Sequence, residues 1–159
     1  MHGVTASGFE QESVKEKISV ITFRPAKDLA KAARYTLTNM RPYYEQYSVE
    51  WDEAQIEKMT QALVNLDILL AGEPVGVIRL SFDSEGAYLR DLQVDQNYQN
   101  RGIGAYALAE ANRLAKVQSV QVLLLRVFKH SPAVNLYKRQ GFNITREDER
   151  FYYMSRAVS

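Results

Sequence analysis

The chain has 159 residues, of which 46% are hydrophobic and 25% charged, a size and composition typical of one globular domain. It contains no cysteine, which excludes disulfides, thiolate metal sites and a cysteine acyl-enzyme, and no metal site is predicted. The formal net charge of +1 gives no reason to expect nucleic acid or an anionic membrane as a partner.

Charged side chains are distributed unevenly. Residues 1–98 carry 10 basic and 15 acidic side chains, whereas residues 99–159 carry 10 basic and 4 acidic ones. The first part is therefore expected to suit a cationic ligand, and the second an anionic one.

Hydropathy predicts where the protein resides. No apolar run approaches the roughly 20 residues that a membrane-spanning helix requires, and the start of the sequence lacks the pattern of a secretion signal. We therefore expect a soluble, cytoplasmic protein.

The first elements in chain order are a strand and two helices. Residues 1–16 are polar and aperiodic, which predicts a flexible N-terminal arm ahead of a single domain over residues 17–159. The β-branched pattern of Lys17–Phe23 predicts a strand. Helical spacing follows from Leu29 to Met40, and Pro42 is expected to end this helix. A second helix is predicted at roughly Asp52 to Leu63.

The middle of the chain predicts three strands and then a crossover. Turn signals at Gly72–Pro74 and Asp83–Gly86 separate the candidate strands, which are therefore expected to form an antiparallel meander. The strands are Asp67–Ala71, Val75–Phe82 and Ala87–Val94. An amphipathic helix from Ile103 to Ala115 leads into the apolar run Val120–Phe128, which we expect to be a strand buried on both faces.

The C-terminal part predicts a short helix from Pro132 to Arg139 that stops at Gly141. Two final strands are suggested, Phe142–Arg146 and Phe151–Val158.

The loop before the long helix predicts a phosphate site. Gly102 and Gly104 lack Cβ atoms, so an anion can approach the backbone there, and the unpaired N–H groups of the first helical turn point toward it. A Gly-x-Gly pair alone is more typical of a tight turn. The chain has neither the Gly-Lys-Ser/Thr of a Walker loop nor the third glycine of a dinucleotide fingerprint.

Two motifs carry a family resemblance. Gln99-x-x-Gly102-x-Gly104 resembles the Gln/Arg-x-x-Gly-x-Gly/Ala motif of the GCN5-related N-acetyltransferase superfamily, which in that family holds the pyrophosphate of coenzyme A. Downstream, Ala133-x-x-Leu136-Tyr137-x-x-x-Gly141-Phe142 is similar to the second signature of the same family. The two motifs stand in the family's order and spacing.

The resemblance implies a fold and a cofactor. The expected fold is of the α/β (α+β) class, with a central mixed, mostly antiparallel twisted sheet of about seven strands flanked by about four helices. The strands on either side of the long helix splay apart in this family and bind coenzyme A between them. Acetyl-CoA is the implied cofactor.

By the same resemblance, the cofactor-binding residues fall into three groups. The main chain of Leu92, Gln93 and Val94 pairs with the pantetheine arm. The loop and helix start surround the pyrophosphate, and the second motif completes the site. These further positions are Gln99, Asn100, Arg101, Gly102, Ile103, Gly104 and Ala105, then Ser131, Asn135 and Tyr137. Many family members have asparagine where this chain has Ser131, a side chain with fewer donors and acceptors.

The resemblance also implies the reaction, N-acetyl transfer by direct attack of an amine in a ternary complex. Tyr137 matches the tyrosine that protonates the leaving thiolate in many members. Asp91, the only acidic residue on its predicted strand, is the candidate base, although its neighbour Arg90 could pair with it. Rival bases are His130 and three acidic residues near the first helices, Glu50, Asp52 and Glu53.

The resemblance further implies that one wall of the acceptor pocket lies between the first two helices, in the loop Arg41–Trp51. Four aromatic residues there, beside Glu45 and Glu50, could hold a cationic amine by ring faces and charge. They are Tyr43, Tyr44, Tyr47 and Trp51. Packing of the same rings onto the core is an equal alternative.

Two other functions remain open on the sequence alone. A non-catalytic sensor of coenzyme A or acyl-CoA would keep the phosphate loop without the chemistry. An interaction domain would bind no small molecule. Partners are expected to be an amine-bearing small molecule or peptide, and paired C-terminal strands could form a homodimer.

Overall fold

The computed structural model describes residues 20–159. The predicted N-terminal arm over residues 1–16 lies outside the described residues, as does the start of the first predicted strand, at residues 17–19.

Seven strands and four α-helices make up the described part of the chain. The strands are β1 (Ile21–Pro25), β2 (Val64–Leu70), β3 (Glu73–Phe82), β4 (Ala87–Val94), β5 (Val122–Phe128), β6 (Asn143–Glu147) and β7 (Phe151–Ala157). The helices are α1 (Leu29–Gln46), α2 (Glu53–Thr60), α3 (Ile103–Val117) and α4 (Ala133–Arg139). A short 3-10 turn, Gln96–Tyr98, precedes α3.

The seven strands form one sheet in the order β1-β2-β3-β4-β5-β7-β6. All neighbours are antiparallel except β4 and β5, which are parallel and are joined through α3. A parallel neighbour requires such a crossover, because the chain must return to the same end of the sheet. The predicted fold class, the meander and the crossover are confirmed.

The helices cover the two faces of the sheet unequally. Ile78 and Leu80 of β3 belong to the main core cluster, which contains the buried faces of α3 and α4. Arg79, between them, points to the opposite face and reaches Thr36 of α1. Because strand side chains alternate, α1 therefore lies across the sheet from α3. None of the helices in residues 20–159 is long and apolar enough to cross a membrane.

Helix α1 is longer than the sequence predicts, because it continues through Pro42 to Gln46. The proline removes one hydrogen bond to the carbonyl of Thr38, but both residues are exposed, so water can satisfy that oxygen. Beyond the proline, Tyr43 and Tyr47 stack on Phe128 of β5 and hold the last turn in place. The predicted aromatic loop is thus mostly helix.

Strand β5 is buried on one face only, so the expectation of two buried faces is wrong. Leu123, Leu125 and Val127 lie in the core, whereas Arg126 is exposed. Helices α3 and α4 cover the face that carries Leu123, Leu125 and Val127. On the other face, α1 reaches only the C-terminal end of the strand, at Phe128.

A bulge interrupts the pairing of β3 with β4. Arg79 pairs with Asp91 and Leu80 pairs with Leu89, which leaves Arg90 as the extra residue. The bulge places Leu89 in the main core and Asp91 on the side of α1.

Candidate functional site

The two parallel strands separate after three residues. Pairing joins Ala87–Leu89 to Leu123–Leu125 and then stops, although β4 continues to Val94 and β5 to Phe128. This separation leaves main-chain groups of both strands without a ladder partner between them. The gap is the splayed strand pair that the resemblance implies.

The main chain of β4 points alternately into the gap and toward β3. The Asp95 N–H donates to the Val75 carbonyl of β3 at 2.8 Å, and a Cβ on Gly76 would collide with the Gln93 carbonyl. Antiparallel alternation therefore directs Gln93 toward β3, and Leu92 and Val94 into the gap. The cofactor contact expected of the Gln93 main chain is corrected accordingly.

The Val94 carbonyl already has two donors. Asn39 Nδ2 of α1 and Gln99 Nε2 each donate to it at 2.9 Å. Gln99, expected at the pyrophosphate, thus turns its side chain back onto the end of β4. Asn39 had no distinguishing signal in the sequence, because a single polar residue on a helix gives no indication of its tertiary partner.

The loop before α3 presents free backbone donors. Gly102 is the N-cap residue of α3 with φ +81°, and no side chain accepts from the first-turn N–H groups. Space is open where a Cβ of Gly102 would lie. Asn100 also has positive φ, +63°, and the Arg101 guanidinium lies 5.2 Å from the centre of the Tyr98 ring. Unpaired amides at a positive helix end suit a pyrophosphate.

The absence of a side chain at Gly104 serves helix packing and not the approach of an anion that the sequence predicts. A Cβ at this position would lie 2.7 Å from Cδ2 of Leu136. Its missing side chain therefore allows α4 to pack against the first turn of α3, rather than allowing an anion to approach. Ile103 beside it is buried in the core and fixes the helix start, and Ala105 completes the first turn.

The second motif places one polar residue in a turn and one tyrosine in the core. The Ser131 hydroxyl accepts from the Ala133 N–H at 3.1 Å, so it stabilises the start of α4. Asn135 is exposed on α4. Tyr137 is 7% exposed and packs edge-on against Phe142 with ring centres 5.8 Å apart.

The hydroxyl of Tyr137 is available for a ligand. Within residues 20–159 it has no hydrogen-bond partner, yet it is not among the fully enclosed polar atoms that lack one. Burial of the ring, and then the charge of Asp91, raise the pKa of Tyr137. The phenol is therefore a proton-bearing donor at neutral pH.

Asp91 lies in a dense polar network instead of pairing with Arg90. Its carboxylate is ion-paired with the completely buried Arg79, accepts from the Thr36 hydroxyl at 2.8 Å, and accepts from Gln93 Nε2 at 2.6 Å. Arg90 instead donates to the Ser81 hydroxyl at 2.8 Å. Sequence reasoning missed Arg79, whose position in an apolar strand was the only available signal.

The network continues to the loop before α3. Asn39 Nδ2 donates to Gln93 Oε1 at 3.1 Å, and Gln99 Nε2 approaches Asn39 Oδ1 at 3.4 Å. Side chains therefore connect Gln99 to Asp91 through Asn39 and Gln93. Such a chain fixes the orientation of the carboxylate relative to the loop.

The negative charge of Asp91 affects two tyrosines that belong to helices on opposite faces of the sheet. The pKa of Tyr44 is raised to about 12. Burial is the main cause and the charge of Asp91 the second, and together they outweigh the opposing effect of the Arg79 charge. The same carboxylate raises the pKa of Tyr137. The charge of Asp91 therefore acts on tyrosines of two different helices, Tyr44 of α1 and Tyr137 of α4.

The expected acceptor wall divides into two parts. Tyr43 and Tyr47 lie parallel to the Phe128 ring at 5.0 and 5.3 Å, and Phe128 contacts Phe151 at 4.5 Å. Tyr44 leans toward Trp51, with ring centres 6.4 Å apart. Trp51 also lines a separate cavity of about 420 Å³ at α2, together with Glu50, Gln55, Lys58 and Met59.

The rival bases have other surroundings. Asp52 caps α2 in a capping box with Gln55, and Glu53 pairs with Arg34 at 3.3 Å. Glu50 belongs to the α2 cavity, and His130 is exposed in the turn before α4. Within residues 20–159, none of these four rivals forms a hydrogen bond with the side-chain network of Asp91.

Comparison with known proteins agrees with this geometry. The acetyltransferase (GNAT) family matches residues 32–142, which is more than half of the chain. The chain therefore belongs to the GNAT family of acetyltransferases, and the resemblance in its motifs is confirmed. Among curated proteins, no sequence matches this chain.

Solved structures share the fold at low sequence identity. Ard1 from Thermoplasma volcanium has 22% identity and a TM-score of 0.71, over 87% of this chain and 98% of that one. The PaiA N-acetyltransferase from Thermoplasma acidophilum, crystallised with coenzyme A, has 19% identity and a TM-score of 0.64, over 86% and 98%. The ribosomal-protein-S18-alanine N-acetyltransferase from Escherichia coli has 20% identity and a TM-score of 0.66, over 88% and 95%. Acetyl-CoA as co-substrate fits the family and the open loop before α3.

Proposed function

We propose that this chain transfers the acetyl group of acetyl-CoA to an amine by direct attack in a ternary complex. The observation that carries the proposal is the gap between β4 and β5, which opens beside the free N-terminal amides of α3. Tyr137 of α4 and Asp91 of β4 would act at this gap from opposite faces of the sheet, which is supported by the effect of the Asp91 charge, after that of burial, on the pKa of Tyr137. Residues 17–159 would act as one unit.

The proposed cofactor contacts follow the geometry of the gap. The first-turn amides of α3 and the loop Gln99–Gly102 would surround the pyrophosphate. The main chain of Leu92 and the N–H of Val94 would pair with the pantetheine arm, as an added strand does. The rest of the cofactor would be bordered by Ser131, Asn135 and Tyr137. When bound, acetyl-CoA supplies an activated thioester.

Tyr137 is proposed as the proton donor to the leaving sulfur. Its raised pKa keeps the hydroxyl protonated, but it also makes full transfer to a thiolate less favourable, because a thiol has a pKa near 8.5. Its main effect is therefore a hydrogen bond that strengthens as negative charge develops on sulfur.

Asp91 is proposed to accept the proton of the attacking amine. Its Oδ2 receives Arg79 and Thr36, whereas Oδ1 receives only Gln93, so one lone pair of Oδ1 is available. The side chain is 16% exposed, which leaves access for an amine or a water. The hydrogen bonds from Thr36 and Gln93 would hold the carboxylate in a fixed orientation for this role.

The acceptor is proposed to enter on the α1 side, between Tyr44 and the stacked rings of Tyr43, Tyr47 and Phe128. Trp51 would close this wall through its contact with Tyr44.

A panel of amines with acetyl-CoA, followed by release of free thiol, tests the activity. Thiol released in proportion to one amine, with matching acetyl product, would support the proposal. Tight coenzyme A binding without thiol release from any amine would favour a sensor. Saturating coenzyme A at 100 times its dissociation constant should stabilise a true binder by about 2.7 kcal/mol, so an unchanged melting temperature would favour an interaction domain.

A further inference from the structure

The sheet face beside α1 carries four arginines that each lie over an aromatic ring. Their guanidinium carbons are 3.7 to 4.9 Å from the ring centres. The pairs are Arg90 with Tyr88, Arg126 with Phe151, Arg146 with Tyr153, and Arg150 with Tyr47. All four arginines are exposed. We call this group the arginine face.

The four arginines form no ion pair within residues 20–159, although two carboxylates lie close to them: Asp148 accepts from the Tyr153 hydroxyl and Glu85 from the Tyr88 hydroxyl, both at 2.8 Å. Within residues 20–159, ion pairs involve Arg24, Arg34, Arg79, Arg113 and Lys129, and no arginine of the face is among them. The rings orient the guanidinium groups by cation–π contact without removing their charge. The face therefore presents four oriented guanidinium groups, and no described carboxylate is bonded to the ring that Arg126 or Arg150 covers.

The arginine face is continuous and reaches the gap. Arg126 of β5 pairs with Tyr153 of β7, which pairs with Arg146 of β6, and Phe151 pairs with Phe128. Arg90 follows Tyr88 on β4, the strand that borders the other side of the gap. Three paired spacings of about 4.8 Å would give roughly 14 Å, and the face is wider than this at Arg90 because β4 and β5 separate after Leu89.

Charge and breadth together identify the kind of molecule that fits this face. We propose that the acceptor is a peptide with acidic side chains next to its acceptor amine, and that the arginine face binds those side chains. This rests on the proposed function. An extended peptide of four to five residues covers roughly 14 Å, whereas a single amino acid reaches only part of the face. Guanidinium groups bind carboxylates with paired hydrogen bonds.

Two other ligands fit less well. A cationic amine was expected from the sequence, but Arg150 already occupies the face of the Tyr47 ring, and Arg126 lies over Phe151. Single-stranded nucleic acid binds by stacking bases on aromatic faces. Here the four ring faces are covered by the protein's own guanidinium groups.

The experiment measures binding and turnover with two six-residue peptides that have a free α-amine. One carries glutamate at positions two to four, and the other carries glutamine there. In the presence of coenzyme A, the glutamate peptide should bind at least about 5-fold more tightly, and higher salt should weaken that binding because it screens exposed charge. The double variant Arg126→Gln with Arg150→Gln should raise the dissociation constant of the glutamate peptide roughly 3- to 20-fold, because two exposed charge pairs are lost.

The matched control is Arg113→Gln, an exposed arginine on α3 at the other face of the sheet. It should leave peptide binding unchanged within about 2-fold. Thiol release with acetyl-CoA should favour the glutamate peptide in the wild-type protein, and should lose that preference in the double variant.

Several results would overturn the inference. Equal binding of the two peptides, tighter binding of an oligothymidine than of the glutamate peptide, or a preference for free glutamate over the peptide would each contradict it. So would a change of oligomeric state in the double variant, since the face would then be a contact between two copies. Thiol release from other amines alongside any of these results would leave the proposed function intact. If the glutamate peptide binds selectively but no amine gives thiol release, the arginine face would be supported as a peptide-binding surface and the proposed function would be contradicted.

Discussion

The carboxylate of Asp91 on β4 is ion-paired with Arg79 on β3, a guanidinium with no exposed surface. The two residues are direct partners across the strand pair, one step before the bulge. Thr36 bridges them by donating to Asp91 and accepting from Arg79 at 2.7 Å. One Arg79 nitrogen, Nη2, is enclosed without a partner among the described residues. The proposed base is therefore also the counter-ion of a buried charge.

Removal of this carboxylate should destabilise the fold as well as reduce activity. Asp91→Asn leaves the buried guanidinium of Arg79 without its counter-ion, and we expect a loss of about 3 kcal/mol in the free energy of unfolding. The double variant Arg79→Met with Asp91→Leu should recover most of that loss, because two well-packed apolar groups need no pairing. Urea unfolding of the single and double variants measures both values. Additive losses would show that the pair is not coupled.

Tyr137→Phe should separate turnover from cofactor binding. Loss of the hydroxyl should lower kcat by about 10², the lower end for general acids, since its raised pKa limits full proton transfer. Only one hydrogen bond to coenzyme A is removed, so its dissociation constant should rise less than about 10-fold. Steady-state kinetics and calorimetry give the two numbers. Tyr106→Phe, at an exposed position of α3, is the control and should retain wild-type turnover; an unaffected kcat in Tyr137→Phe would remove it from the mechanism.

Gly102→Ala should weaken coenzyme A binding through the backbone. Gly102 has φ +81° with open space around its missing Cβ, so alanine there is strained and occupies the space proposed for the pyrophosphate. Gly72 in the β2–β3 turn has φ +85° and equally open space, which makes Gly72→Ala a matched control. Both variants should lose about 1 kcal/mol of stability. Only Gly102→Ala should also raise the dissociation constant of coenzyme A, by about 10-fold or more; equal affinities would place the pyrophosphate elsewhere.

Alkaline pH should destabilise the protein through Tyr44. Its pKa is about 12 in the folded chain and about 10 in an unfolded chain, so the unfolded state loses the proton first. The associated stability is complete below pH 10 and declines between pH 10 and 12. Because Tyr44 is partly exposed, solvent screening should reduce the effect to about 1–2 kcal/mol.

The comparison of wild type with Tyr44→Phe isolates this contribution. The pKa of Tyr137 is also raised, but its effect on stability at alkaline pH is the same in both proteins. Denaturant unfolding at pH 8 and pH 11.5 provides the measurement. The variant should lose less stability than wild type over this interval, and parallel losses would contradict the assigned burial of Tyr44.

Local sequence signals predicted most of the secondary structure, because strands, turns and helix ends depend on neighbouring residues. Alternation and turn residues predicted Ala87–Val94 with its observed bounds. The same local reasoning failed at Pro42, where stacking of Tyr43 and Tyr47 on Phe128 outweighs the penalty of an exposed proline. The turn signal at Gly102 was also local, since its positive φ requires no distant contact.

Contacts between distant segments could not be predicted in this way. The sequence by itself determined the family, the order of the elements and the open loop before α3, since these depend on motif spacing and backbone chemistry. Tertiary structure alone decided that Arg79 is the counter-ion of Asp91, that Leu136 accounts for Gly104, and that Arg150 covers the Tyr47 ring. The reason is that a side chain's charge partner depends on strand register and sheet order, which place residues far apart in the chain a few ångströms from each other.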